Sequence, residues 1–122
     1  MTIKTLTKKM KERQKQGDSL FVPYIMAGAN GLEKLPAEIK LLVSHGAAAI
    51  EIGVPFSDPV ADGPVIQTAG MQALANGTTL KKIIAALKVI ESEVPLVLMG
   101  YANSFFHYGI QRLADDLKNT DV

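Results

Sequence analysis

The sequence predicts an α/β fold, a parallel sheet covered by helices, with three βα units following an N-terminal helix. Three observations carry this. Short, almost continuously apolar runs alternate with amphipathic segments of helical period, as buried parallel strands and their covering helices do. Glycine, asparagine and proline punctuate the junctions. Polar or aromatic residues, Tyr24, Glu51 and Tyr101, fall at or near the C-terminal ends of all three runs. The first two observations fit either an open doubly wound sheet or part of an eight-fold barrel. The third favours the (β/α)8 TIM barrel, which keeps its chemistry at that end. On that expectation residues 1–122 are the N-terminal part of a single TIM-barrel domain, roughly its first three βα units plus a preceding helix.

Each element has its own signal. Ile3, Leu6 and Met10 lie at helical spacing opposite Lys8, Lys11 and Lys15, so residues 1–16 read as a solvated amphipathic helix ended by Gly17. The apolar run from Leu20 to Met26 is strand one. Asn30 and Gly31 turn the chain into a helix with Pro36 in its first turn, Leu35, Ile39, Leu42 and Val43 on its apolar side, and Gly46 at its end. Strand two runs from Ala47 to Ile52, broken in its apolar character only by Glu51, and enters a loop stiffened by Pro55, Pro59 and Pro64. Pro64 can open a helix through Ala75, which Asn76-Gly77 stops. Thr78 can cap a second one carrying Leu80, Ile83, Ile84, Leu87 and Ile90. Pro95 precedes strand three, Leu96 to Met99; a loop from Gly100 to Gly109 and a helix from about Ile110 to Asn119 complete the pattern.

Composition narrows the function classes. With 48% hydrophobic residues and a mean hydropathy of +0.16, the chain can bury a real core. Thirteen basic against twelve acidic side chains leave a net charge of +1, which argues for neither a nucleic-acid nor an anionic-membrane partner. The absence of cysteine removes disulfides, thiolate metal sites and a cysteine nucleophile together, and fits a reducing compartment, with the cytoplasm as the expectation. No apolar run nears the roughly 18 residues of a membrane span, and residues 1–16 lack the apolar core of a secretion signal. His45 before Gly46 and His107 lack ligand-like spacing, so no metal is expected, and no glycine-rich phosphate loop occurs.

The chemistry concentrates after strand two. Alternation puts Ala49, Glu51 and Gly53 on one face of that strand and Ile50 and Ile52 on the other, beneath the helices. Glu51 therefore faces the barrel interior. Lost hydration would raise its pKa toward neutrality, each unit corresponding to about 1.4 kcal/mol. A glutamate in an ion pair or on an exposed face is the plainer alternative. Asp62 follows eleven positions later, at the end of the proline-rich loop, where it could equally be an ordinary turn aspartate in Asp-Gly-Pro. Asp58 reads as a loop-shaping side chain.

The segment IEIGVPFSDPVADG, from Ile50 to Gly63, resembles the diagnostic segment of tryptophan synthase alpha subunits. FVPYIMAG in strand one and LMGYANSFFHYG after strand three resemble the same family in the same order, so the likeness covers essentially the whole chain. It implies a (β/α)8 barrel that cleaves indole-3-glycerol phosphate to indole and glyceraldehyde 3-phosphate in a retro-aldol reaction of tryptophan biosynthesis. Indole then passes to a beta subunit within an alpha2beta2 complex. By position in the matched segment, Glu51 corresponds to the general acid-base at the reacting carbon and Asp62 to the carboxylate that accepts the indole N–H. Tyr24, Tyr101 and, more weakly, Met99 correspond to the indole pocket, and plain core packing is the alternative for the aromatics. Pro55, Phe56, Ser57, Asp58 and Pro59 correspond to the partner interface or its supporting loop. The resemblance implies no cofactor here, pyridoxal phosphate being expected only in the beta subunit.

Two departures from the family pattern stand out. Three βα units fall short of eight, so the strands that hold phosphate in such barrels and the lid after strand six lie outside these residues. Gly100, where the family favours bulkier residues, predicts a looser backbone before Tyr101. Besides a portion of an active lyase, the sequence therefore allows an inactive fragment that folds or self-associates through open sheet edges, or another phosphate-binding barrel.

Overall fold

Three parallel strands form the centre of the chain, which is described over residues 3–122 by a computed structural model. Side chains are described from Thr5 onward, so the placement expected for the Ile3 side chain lies outside the described residues. Strands β1 (Tyr24–Met26), β2 (Ile50–Gly53) and β3 (Leu96–Met99) lie in that order, with β2 in the middle. Around them are α1 (Ile3–Lys15), α2 (Leu35–Ser44), α3 (Pro64–Ala75), α4 (Leu80–Leu87), α5 (Ala102–Tyr108) and α6 (Ile110–Leu117). Among the described residues no helix is long and apolar enough to cross a membrane.

Register sorts the strand side chains into two layers. Ile25, Ile52 and Leu98 align across the sheet, as do Ile50 and Leu96. These apolar residues meet Leu35 and Ile39 of α2, Ile83 and Leu87 of α4, and Val94, forming the core between sheet and helices. Burial of each such side chain contributes about 1.5–3 kcal/mol. The opposite face aligns Tyr24 with Glu51 and Val97, and Met26 with Gly53 and Met99. The site is built on that second face.

α1 is tied on by its basic residues: Lys9 Nζ donates to the Glu93 carbonyl at 2.8 Å and Arg13 Nη1 to the Gly46 carbonyl at 2.9 Å. Its Leu6 and Met10 are partly buried while Lys8, Lys11 and Lys15 are exposed, the amphipathic division that their spacing predicts.

Local boundaries differ from expectation where tertiary contacts decide. β1 begins at Tyr24 instead of Leu20, although the Phe21 and Pro23 carbonyls still accept from the Ala48 and Glu51 amides. Pro23 has no N–H to return a bond, and Leu20, Phe21 and Val22 remain exposed. β2 covers Ile50–Gly53, one position beyond the predicted end. Thr79, not Thr78, caps α4: its extended backbone lets the side chain accept from the Lys82 amide at 3.2 Å. Thr78 is instead buried against Gly28, where its side chain fills the space a Cβ would need and the φ of +84° independently favours glycine. α4 stops at Leu87, and Ile90 joins the core from the turn beyond it. The segment from Gly100 to Gly109 is not a loop but contains α5, which packs Phe105 onto the core and ends at Gly109 with φ +99°. α6 ends at Leu117.

A charged cluster joins α4, α5 and α6. Asp116 Oδ1 meets Lys88 Nζ at 2.6 Å, its Oδ2 accepts from the Tyr108 hydroxyl at 2.6 Å, and Arg112 lies 4.8 Å over the Tyr108 ring. The Lys88 bond, then the Tyr108 bond, holds the Asp116 carboxyl below its ordinary value of 3.8. A carboxyl depressed in the folded state stabilises the fold above its unfolded value, and that contribution vanishes as pH falls through the folded value. The Tm of the parent should therefore drop more steeply below pH 3.8 than that of Asp116→Asn. Equal acid slopes in thermal melts of the two proteins would exclude this role.

Candidate active site

Parallel pairing sets Tyr24 directly beside Glu51 across the strand boundary. Both side chains rise from the inner sheet face near its C-terminal edge, and both are half-buried. Among the described residues the Glu51 carboxylate accepts no side-chain hydrogen bond. Gly53 lies on the same face two residues on, and a Cβ there would overlap the Tyr24 hydroxyl and ring. The tyrosine ring thus lies across the strand in space that only glycine leaves open. Gly53→Ala should displace it and cost about 1–3 kcal/mol through overpacking. An unchanged urea midpoint for this variant would show that the ring has somewhere else to go.

Asp62 reaches the same place from the end of the proline loop. Its amide donates to the Pro59 carbonyl at 3.1 Å, and its carbonyl accepts from Gln67 Nε2 at 2.9 Å. Gln67 also donates to the Pro59 carbonyl at 3.3 Å, so one side chain from α3 holds both arms of the turn. The Asp62 carboxylate accepts from the Tyr101 hydroxyl at 3.3 Å, and that hydroxyl accepts from the Ala61 amide at 2.9 Å. Phe56 stacks on Tyr101 with ring centroids 5.1 Å apart and 23° between planes.

The electrostatics join these groups. Burial raises the Tyr24 phenol above its ordinary value of 10.0, and the charges of Asp62, then Glu51, raise it further. A neutral phenol therefore stands among two carboxylates and the Tyr101 ring. Its hydroxyl also lies 3.9 Å from the Met26 sulfur.

The remaining predicted residues take varied positions. Met99 shares the inner face and is 50% exposed, so its side chain is free to meet a ligand or the next strand. Pro55 is buried, Phe56 and Pro59 are partly so, and Ser57 and Asp58 are exposed, with Ser57 Oγ donating to Asp58 Oδ2 at 2.8 Å. Beyond them Val60 projects, 88% exposed. His45 is occupied locally with Ser44 and the Leu41 carbonyl, and His107 lies exposed on α5.

Three contributions escape sequence reasoning. Gln67 clamps the loop, the Ala61 amide anchors Tyr101, and Gly53 makes room for Tyr24. Only Gly53 carries a signal, a glycine within an otherwise apolar strand. Gly100 lies where a Cβ would come within 3.1 Å of Val54 and 3.2 Å of Phe105, a close approach immediately before Tyr101.

Known proteins resemble this chain in sequence and in fold. The family described as tryptophan synthase alpha chain matches residues 10–122. The tryptophan synthase alpha chain of Streptococcus pneumoniae strain Taiwan19F-14 is 50% identical over 121 residues, covering 98% of this chain and 47% of its own length. The chain thus spans about half the length of the curated relatives it matches. The crystal structure of tryptophan synthase subunit alpha from Legionella pneumophila superposes with a TM-score of 0.86 at 33% identity, over 91% of this chain and 44% of that one. Tryptophan synthase from M. tuberculosis in its aminoacrylate-bound form gives a TM-score of 0.84 at 31% identity, over 92% and 46%. The three parallel βα units are accordingly part of a (β/α)8 barrel.

Proposed function

Because the chain belongs to the tryptophan synthase alpha chain family, we propose that residues 1–122 supply the acid-base half of a lyase site that cleaves indole-3-glycerol phosphate. The observation that carries this reading is the setting of the two carboxylates, Glu51 paired beside Tyr24 on the inner sheet face and Asp62 held by the Tyr101 hydroxyl at 3.3 Å, with burial and then both charges raising the Tyr24 phenol. Retro-aldol cleavage requires three things. The indole carbon that loses its side chain gains a proton, the glycerol hydroxyl beside it loses one to become the aldehyde, and positive charge developing on the ring nitrogen is stabilised. Glu51 moves protons at the reacting carbon. Asp62 accepts the indole N–H and strengthens its hold as that nitrogen becomes more acidic in the transition state. The two carboxylates differ in setting, one without a hydrogen-bonded side-chain partner among the described residues and one held by Tyr101, which suits them to separate duties.

Tyr24, Tyr101 and Met99 offer flat or polarisable apolar walls to a bicyclic ring. The substrate phosphate is left to parts of the barrel outside these residues. Carboxylate chemistry at this site calls on no resident cofactor; pyridoxal phosphate belongs to the beta subunit. That subunit docks on the loop Pro55–Pro59, which its prolines stiffen at low entropic cost while Ser57, Asp58 and the neighbouring Val60 offer exposed surface. The domain these residues begin is a single barrel acting in the cytoplasm as part of an alpha2beta2 complex.

Exposure of Met99 on the inner face favours a second reading for the 122-residue chain by itself, a folding unit without catalysis. Indole release from indole-3-glycerol phosphate distinguishes the two. An alpha chain in which these residues continue into the rest of the barrel should release indole, and failure to do so overturns the lyase reading. Release by the 122-residue chain unaided would overturn the second.

A further inference from the structure

We infer that Phe56 is a positioning residue which, by stacking on Tyr101, holds the Tyr101 hydroxyl in the bridge between the Asp62 carboxylate and the Ala61 amide. The inference deepens the proposed function and rests on it for its catalytic consequence. The geometric part stands independently.

Each joint of the chain is visible. Phe56 and Tyr101 are stacked at 5.1 Å with only 23° between their planes, so the phenylalanine covers one face of the tyrosine ring. A ring pinned on one face keeps its in-plane hydroxyl on a fixed line. That hydroxyl accepts from the Ala61 amide at 2.9 Å and donates to Asp62 Oδ2 at 3.3 Å, using its donor and one acceptor site on the same turn of loop. Tyr101 itself follows directly on the close packing of Gly100 against Val54 and Phe105. Tyr101 is therefore more than a pocket wall. One face is given to Phe56, and the hydroxyl engages one oxygen of Asp62, leaving the other free of it. Gln67 fixes only the Asp62 and Pro59 carbonyls, so the carboxylate's own direction depends on Tyr101. Misplacing such an acceptor by about 1 Å is enough to lower turnover by up to roughly 100-fold.

The test uses an alpha chain in which residues 1–122 continue into the rest of the barrel, without the partner subunit, so that docking on the loop does not contribute. Phe56→Leu keeps apolar bulk but removes the stacked ring, Phe56→Tyr keeps the ring, and Tyr101→Phe keeps the stack but removes the hydroxyl. Phe56→Leu and Tyr101→Phe should each speed hydrogen exchange at the Ala61 amide about tenfold and lower kcat about tenfold, with KM changing less than about threefold. Phe56→Tyr should keep both readouts at the parent values, which a plain loss of packing does not predict for Phe56→Leu alone. Unchanged Ala61 exchange in Phe56→Leu, or a kcat loss in Phe56→Tyr equal to that in Phe56→Leu, would overturn the inference. If the parent chain releases no indole, the lyase reading fails, while Ala61 exchange in the three variants still decides the positioning role.

Discussion

Glu51→Gln should lower kcat for indole release by about 10²–10⁴-fold in the complete alpha chain and leave the fold nearly intact, the range expected when a positioned proton-transfer group is removed. Glutamine preserves the shape of the side chain but loses its negative charge and its ability to gain and release a proton. Glu51 sits half-buried on the inner sheet face, opposite the packed layer of Ile50 and Ile52, so the exchange leaves the core untouched. Nor does it strand a partner, since among the described residues no side chain donates to the Glu51 carboxylate. Steady-state kinetics and a urea melt measured together separate chemistry from folding. Near-normal turnover in a folded Glu51→Gln protein would remove Glu51 from the mechanism and shift attention to Asp62.

The parts of this architecture that sequence exposes are those governed by period and by local backbone chemistry. Ile50 and Ile52 announce a buried outer layer by alternation, and Glu51 announces the inner face by breaking the apolar run. Helix α3 begins at Pro64 and ends at Ala75 as its proline and Asn76-Gly77 dictate. By contrast α5 is hidden because Ala102–Tyr108 is short, rich in aromatic and polar residues of poor helix propensity, and stabilised by distant partners: Phe105 by the core, Tyr108 by Asp116. The same holds at the site. Ten residues, two of them prolines, separate Glu51 from Asp62, and no periodic rule measures that span. What closes it is a set of long-range contacts, from Tyr101 to Asp62 and Ala61 and from Gln67 to the loop carbonyls, none of which leaves a pattern in the residues between. Resemblance to a family supplies the pairing of the two carboxylates where residue spacing does not.

Ile52→Ala should destabilise the chain by about 2–5 kcal/mol, the cost of removing a large aliphatic side chain from a site that cannot collapse. Ile52 is fully buried in the middle strand, flanked in register by Ile25 and Leu98 and covered by the helix layer that includes Ile39 and Ile83. Since every neighbour is itself held by strand pairing or helix packing, relaxation into the vacated space is limited. Domains of this size are stable by only about 5–15 kcal/mol, so one such cavity removes a large share of the margin. The effect on catalysis should be indirect. Ile52 points away from the site, but it is bonded between Glu51 and Gly53, the residues that carry the carboxylate and make room for Tyr24. Activity should therefore track the folded fraction through a urea titration, with the midpoint lowered and kcat per folded molecule close to that of the parent, whereas Glu51→Gln lowers kcat at an unshifted midpoint. A loss below about 1 kcal/mol for Ile52→Ala would mean that the helix layer can follow the sheet inward, and that the core of this half-barrel is looser than its burial implies.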